Sequence, residues 1–155
     1  MQLSFHADYA CRVLIYLAVL DDQQSSIAAV AKAYGISENH LVKVVHHLGK
    51  LGYVTTTRGR GGGIKLARAP ADLNIGEVVR AMEPHFTVVE CLDQQTNTCP
   101  IVPVCGLKAA ISKATAAFLA TLDDYSLQDV LGGKHQLSRL LTQKSQENAS
   151  AMVDL

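Results

Sequence analysis

A mainly α fold with one small β-hairpin is predicted by three features of the sequence. The composition is rich in aliphatic residues and poor in aromatic ones, apolar residues recur at three-and-four spacing through most of the chain, and a single strand-like stretch folds back at a glycine cluster. The 155 residues suffice for one core plus an accessory element and fall short of two domains of ordinary size. With 48% hydrophobic, 18% charged and 5% aromatic residues, neither wholesale disorder nor a collagen-like repeat fits. No apolar run approaches the roughly 20 residues needed to cross a bilayer. Met1 to Ser26 carries charges and an amphipathic pattern in place of a secretory leader, so a cytoplasmic location is expected.

From His6 to Leu20, the residues Tyr9, Ala10, Val13, Leu14, Leu17 and Ala18 fall on one helical face, with Asp8 and Arg12 one turn apart on another. A polar break, Asp21 to Ser25, follows, and Ser26 can cap a second helix with Ile27, Val30, Ala31 and Tyr34 inward. Gly35 ends that helix. Ser37 starts a third, with Leu41, Val44, Val45, Leu48 and Leu51 inward while Asn39, His40, Lys43, His46, His47 and Lys50 largely face out. A short helix, a tight turn and a longer polar-faced helix form a helix-turn-helix pattern, a motif also common in proteins that never meet DNA.

The next residues sharpen that pattern. Tyr53 to Thr57 has strand composition, Arg58-Gly59-Arg60-Gly61-Gly62-Gly63 forms no regular element, and Ile64-Lys65-Leu66 alternates as a returning strand. The result is a two-stranded wing with a basic, glycine-rich tip, where glycine permits close backbone approach and arginine displaces counterions or probes a minor groove. No Lys-Ser or Lys-Thr follows the glycines and a strand comes next, so the tip is not a nucleotide-binding loop. Fourteen basic and fourteen acidic side chains cancel overall, yet between Ser37 and Arg68 six bases (Lys43, Lys50, Arg58, Arg60, Lys65, Arg68) face the single acid Glu38. A basic patch on an acidic body points to double-stranded DNA.

Asn74 or Asp72 caps a fourth helix, Ile75 to Met82, stopped by Pro84. Gly106 to Leu122 is alanine-rich with Leu107, Ala110, Ile111, Ala114, Ala117, Phe118 and Thr121 as a continuous apolar stripe, which a second copy's equivalent helix would cover economically. Ser126 to Leu131 forms one more turn before Gly132-Gly133. The organisation expected is therefore a winged helix-turn-helix domain over residues 1–83, a cysteine loop over 84–105, a dimerisation helix and turn over 106–131, and a loosely ordered tail over 132–155.

Three of the four cysteines, Cys91, Cys99 and Cys105, crowd into that loop, with Pro100 and Pro103 stiffening the second interval. In a reducing compartment such a trio points to metal or redox chemistry more than to a disulfide framework. Thiolates are the soft ligands of iron-sulfur clusters, and a looping segment reaches around a cluster better than a helix does. Structural zinc favours Cys-x2-4-Cys knuckles, and neither interval here is that short. A metal-free thiol switch also fits. Cys11 lies among apolar residues of the first helix and reads as a small buried side chain. Asp8 reads as the partner of Arg12 in a surface pair worth about 0.3 kcal/mol. His85 and Glu90 are hard donors near the loop without a spacing argument behind them. No nucleophile-base pair appears, so an enzyme is not expected.

Asp8-Tyr9-Ala10, Arg12 to Ala18, Tyr34 to Lys43, Gly52-Tyr53-Val54, the Arg58 to Gly63 wing and the three cysteines together resemble the winged-helix iron-sulfur transcriptional regulators, over roughly residues 1–131. Ser37 to Lys43 and Leu122 to Leu127 are most similar to the nitric-oxide-sensitive branch of that family. The resemblance implies a homodimeric repressor of operator DNA with a 4Fe-4S cluster, or a 2Fe-2S cluster, on Cys91, Cys99 and Cys105, and with Asp8 reaching in from the other subunit as fourth ligand. Nitric oxide would be the signal, cluster damage releasing the operator. A branch that carries a histidine ligand soon after the last cysteine matches less well, because Leu107 and Lys108 stand there. An iron-availability regulator using the same site, or a metal-free redox regulator, is the alternative. Expected DNA contacts are Ser37, Asn39, His40 and Lys43 in the recognition helix and Arg58, Arg60 and Lys65 in the wing; Asn and Arg read base edges, Lys and Ser more often hold phosphate.

Overall fold

The computed structural model describes residues 2–21, 23–59 and 61–153. Six α-helices and one β-hairpin occur among them: α1 (Phe5–Val19), α2 (Ile27–Tyr34), α3 (Glu38–Lys50), β1 (Val54–Thr57), β2 (Gly63–Leu66), α4 (Ile75–Met82), α5 (Gly106–Asp123) and α6 (Lys134–Val153). This is the mainly helical architecture with a small wing that the sequence predicts.

Local signals set most of the boundaries. Ser4 Oγ accepts the Ala7 N–H at 3.2 Å and starts α1 one residue before His6. Ser26 Oγ does the same for Ala29 at 3.0 Å, and Asn74 Oδ1, not Asp72, for Glu77 at 3.0 Å. Gly35, at φ 64°, closes α2 in the left-handed conformation, and the Ile36 N–H reaches back to the Ala31 carbonyl. The core gathers Ala10, Val13, Leu14 and Leu17 from α1, Val30 from α2, Leu41, Val44, Val45 and Leu48 from α3, and Val78, Val79 and Met82 from α4. Leu73, Leu127 and Leu131 seal its lower side.

The hairpin is antiparallel, with Val54 opposite Leu66 and Thr57 opposite Gly63. Its second strand is tied to the α1–α2 connection near the tip, since Ser25 N–H donates to the Ile64 carbonyl at 3.0 Å and Ile64 N–H to the Ser25 carbonyl at 2.7 Å. That tie requires glycine at position 63, because a Cβ there would lie 2.6 Å from the Ser25 carbonyl oxygen. Gly63→Ala is expected to cost about 1–3 kcal/mol of stability, as overpacking does, and to loosen the wing. Chemical denaturation checks this, and an unchanged midpoint would contradict the requirement.

The corner between α4 and α5 is closely built. Arg80 forks onto Asp123 with both terminal nitrogens, and Asn74 Nδ2 donates to the Asp123 carbonyl at 2.6 Å. The arginine holds the Asp123 carboxyl below its ordinary range. Gly76 leaves room for that carboxylate, whose Oδ1 would clash with a Cβ at this position.

One element differs from expectation. The segment over 132–155, expected to be loosely ordered, contains α6, which lies along α2. The polar composition conceals a helical spacing of Leu137, Leu140 and Leu141; Leu137 packs against the core, and Leu140 and Leu141 line a groove with Ala33 and Tyr34. Asn148 Nδ2 donates to the Lys32 carbonyl at 2.6 Å, and Lys134 pairs with Asp21. The apolar stripe of α5 has no fully buried residue within one chain. Leu119 and Leu122 pack against the core, while Leu107 remains 66% exposed. No described helix is long and apolar enough to cross a membrane.

Candidate nucleic-acid interface and cysteine loop

The third helix has two faces because its sequence does. Leu41, Val44, Val45 and Leu48 are buried, and Asn39, His40, Lys43, His46 and Lys50 are exposed on the opposite side. Ser37 is the N-cap residue but makes no capping hydrogen bond with its side chain, and it is exposed. Gly52, at φ 73°, turns the chain from α3 into the wing, and the Tyr53 N–H closes the turn on the Leu48 carbonyl at 2.9 Å. Arg58 and Lys65 are exposed on the wing; Arg60 lies outside the described residues. Arg68, the last of the basic run, sits over the Tyr53 ring at 5.0 Å and is engaged at the wing's base.

His47 does not share the outer face with His46. It is half-buried, and its Nδ1 lies 3.0 Å from His6 Nε2, joining the first turn of α1 to the recognition helix. Burial holds His6 below its ordinary pKa, His47 adds to this, and Glu83 opposes both. A contact between residues 41 apart leaves no trace in local sequence patterns. The approach of Arg12 to Tyr34 is equally hidden, while its pair with Asp8 is the one the sequence predicts. Arg12 pairs with Asp8 at 2.8 Å, and its guanidinium lies 5.8 Å from each of the Tyr9 and Tyr34 rings.

The four cysteines are all free thiols. Cys11 is largely buried, and burial, reinforced by the Asp8 charge, pushes its pKa up to about 11, so it remains protonated and inert. Cys91, Cys99 and Cys105 are half-exposed along the loop. Cys91 lies in a single 3-10 turn, Glu90–Leu92, and Cys105 occupies the N-cap position of α5, at the positive end of the helix dipole. Between them the loop is ordered by acidic side chains. Asp93 accepts from the Gln95 N–H at 2.9 Å and the Thr96 hydroxyl at 2.7 Å, and Glu90 Oε1 accepts from both the N–H and the hydroxyl of Thr98. These bonds hold both carboxyls below their ordinary pKa, the Thr98 hydroxyl acting most on Glu90 and the Gln95 N–H most on Asp93. His85 is exposed. Among the described residues no three His, Cys, Asp or Glu side chains converge into a ready-made metal group.

The family model described as "Rrf2: Iron-dependent Transcriptional regulator" matches residues 3–133. The HTH-type transcriptional regulator NsrR of Bacillus subtilis (strain 168) is 50% identical over 145 residues, covering 93% of this chain and 99% of that protein. The protein of the same name from Geobacillus kaustophilus is 46% identical over 93% of this chain and 99% of its own length. Among solved structures, the global cysteine regulator CymR of B. subtilis superposes with a TM-score of 0.69 at 22% identity, over 85% of this chain and 97% of that one. IscR of T. potens superposes at 0.66 with 25% identity, over 85% and 87% of the two chains. The likeness to CymR speaks for the fold alone, and the family match covers the wing, the recognition helix and the cysteine loop together. The chain therefore belongs to the Rrf2 family of DNA-binding transcriptional regulators and is not an enzyme.

Proposed function

We propose that the protein is a homodimeric repressor that senses nitric oxide through a 4Fe-4S cluster held by Cys91, Cys99 and Cys105, with Asp8 of the partner subunit as fourth ligand. The observation that carries this reading is a trio of free, half-exposed thiols on one loop, in a chain half identical along nearly its whole length to a regulator named NsrR. The donor set fits a cluster in kind, since soft thiolates come from a single loop outside the hydrophobic core. One chain supplies the thiols and leaves the fourth position to another subunit, in keeping with the uncovered stripe on α5.

When bound, the cluster supplies iron atoms to which nitric oxide binds. The protein's own part is mechanical. The loop thiols of one subunit and Asp8 of the partner subunit together fix how two recognition helices sit relative to each other, and a dimer reads two half-sites only when their separation matches a DNA turn. Within a chain Asp8 pairs with Arg12, which holds the carboxylate oriented until it is claimed. Asn39, His40 and Arg58, with Arg60 of the wing tip, read base edges, while Ser37, Lys43 and Lys65 hold phosphates.

Titration of the anaerobically reconstituted protein with nitric oxide, followed by visible absorbance and operator binding together, tests the reading. Bleaching and release of DNA should run in parallel, and Asp8→Ala should shorten cluster lifetime and alter that response. Operator release on iron chelation without a nitric oxide response would favour iron sensing, the alternative that the family's iron-dependent description supports. Colourless protein with an oxidant-responsive operator affinity would favour a thiol switch.

A further inference from the structure

Glu90 and Thr98 occupy matching places: each is the residue immediately before a thiol of the loop, Cys91 and Cys99. Glu90 Oε1 accepts the Thr98 N–H at 2.5 Å and the Thr98 hydroxyl at 2.7 Å, so the loop is fastened where the two cysteines leave it. Inside the fastened segment the chain is already folded. Asp93 holds Gln95 and Thr96, the Asn97 N–H donates to the Asp93 carbonyl at 3.2 Å, and the Cys99 N–H donates to Asn97 Oδ1 at 3.2 Å. Every link lies between Glu90 and Cys99, and none uses a sulfur.

We infer that Glu90 is a positioning residue for the metal centre, a clasp whose two hydrogen bonds to Thr98 fix Cys91 and Cys99 relative to each other before any iron arrives, and that it is not itself a ligand. The inference rests on the cluster reading given above. Its physical basis is loop closure. Bringing two thiols seven intervening residues apart onto one inorganic core costs chain entropy, and a charged acceptor taking two donors at the loop's neck removes much of that cost beforehand. Both lone-pair directions of Oε1 are engaged by Thr98, so this oxygen serves the loop and only Oε2 stays open. An exposed carboxylate with no ion pair among the described residues needs such a reason to be held in one place, and Thr98 supplies it.

Anaerobic reconstitution of the wild type, Glu90→Ala, Glu90→Gln and Thr98→Val, followed by a chelator challenge read as the decay of visible absorbance and as iron and sulfide content, tests this. Removing an outer-shell partner lowers metal affinity by about 10- to 100-fold, and for a solvent-exposed clasp the expected acceleration of cluster loss in Glu90→Ala is about tenfold. Glu90→Gln keeps the accepting oxygen and should retain most of the wild-type lifetime. Thr98→Val loses one of two bonds and should fall between. A second readout needs no metal: in the cluster-free protein, hydrogen exchange at the Thr98 amide should be slow in wild type and Glu90→Gln and fast in Glu90→Ala. Equal loss in Glu90→Ala and Glu90→Gln with an unaffected Thr98→Val would make Glu90 a ligand and overturn the inference. So would a Glu90→Ala protein whose cluster lifetime matches wild type while wild type loads normally. Wild-type protein that takes up no iron and sulfide would remove the cluster reading and the clasp's role with it, whatever the Thr98 amide shows.

Discussion

Cys99→Ala is expected to yield a colourless protein that folds normally, carries almost no iron or sulfide after anaerobic reconstitution, and binds the operator without regard to nitric oxide. Cys99 lies on the loop and outside the hydrophobic core, so its loss leaves stability within about 0.5 kcal/mol, the usual range for surface changes. The two remaining loop thiols cannot anchor a cluster that needs four attachment points. Operator affinity should fall toward the nonspecific level, about a thousandfold or more below the specific one, because charge remains on α3 and the wing while the spacing of the two reading units is no longer enforced. Iron and sulfide assay, visible absorbance and a binding titration at fixed salt measure the three parts separately. A brown, nitric-oxide-responsive Cys99→Ala protein would defeat the assignment of that residue.

Leu41→Ala should produce a large loss of stability. Leu41 is wholly buried in the first turn of α3, with Val44, Val45 and Leu48 behind it along the same face. Truncating such a residue costs about 2–5 kcal/mol, against a total for a domain of about 5–15 kcal/mol, so a substantial fraction of the protein would be unfolded near its growth temperature. Lys43, two residues on and exposed, offers the complementary case. Lys43→Ala should leave stability within about 0.5 kcal/mol, weaken binding to every DNA sequence, and reduce the slope of log affinity against log salt by about one. Thermal unfolding beside a salt series separates the two; a Leu41→Ala protein with wild-type unfolding would show that the inner face of α3 does not depend on that side chain.

The parts of this fold that could be read from the sequence are those governed by short-range rules. Ser26, Asn74 and Gly35 mark helix ends because capping oxygens and left-handed glycine act within a few residues, and the stripe through Leu41, Val44, Val45 and Leu48 records which side of α3 meets the core. The wing was legible because its glycines and alternating residues admit little else. The sixth helix was not, since its stabilising contacts join Leu137 to the core and Asn148 to Lys32, far apart in the chain, while its composition is that of a solvated tail. The same limit applies to the candidate site. The three cysteines stand out by residue type, and Asn39, His40 and Lys43 by helical phase, but the pairing of His6 with His47 and of Glu90 with Thr98 depends on where the chain returns in space.

The corner where Asp123 is gripped by Arg80 and Asn74 over Gly76 has a mechanical consequence. An α-helix of 18 residues is a rod about 27 Å long, and this one is clamped to the DNA-reading body at one end while Cys105 stands at the other. A rotation of about 5° at the clamp swings the far tip by about 2 Å, given that length. Tightening or slackening at the cysteine end would thus reach the body as a change of tilt, limited by the stiffness of the joint that Arg80, Asn74 and the packed Leu119 and Leu122 make.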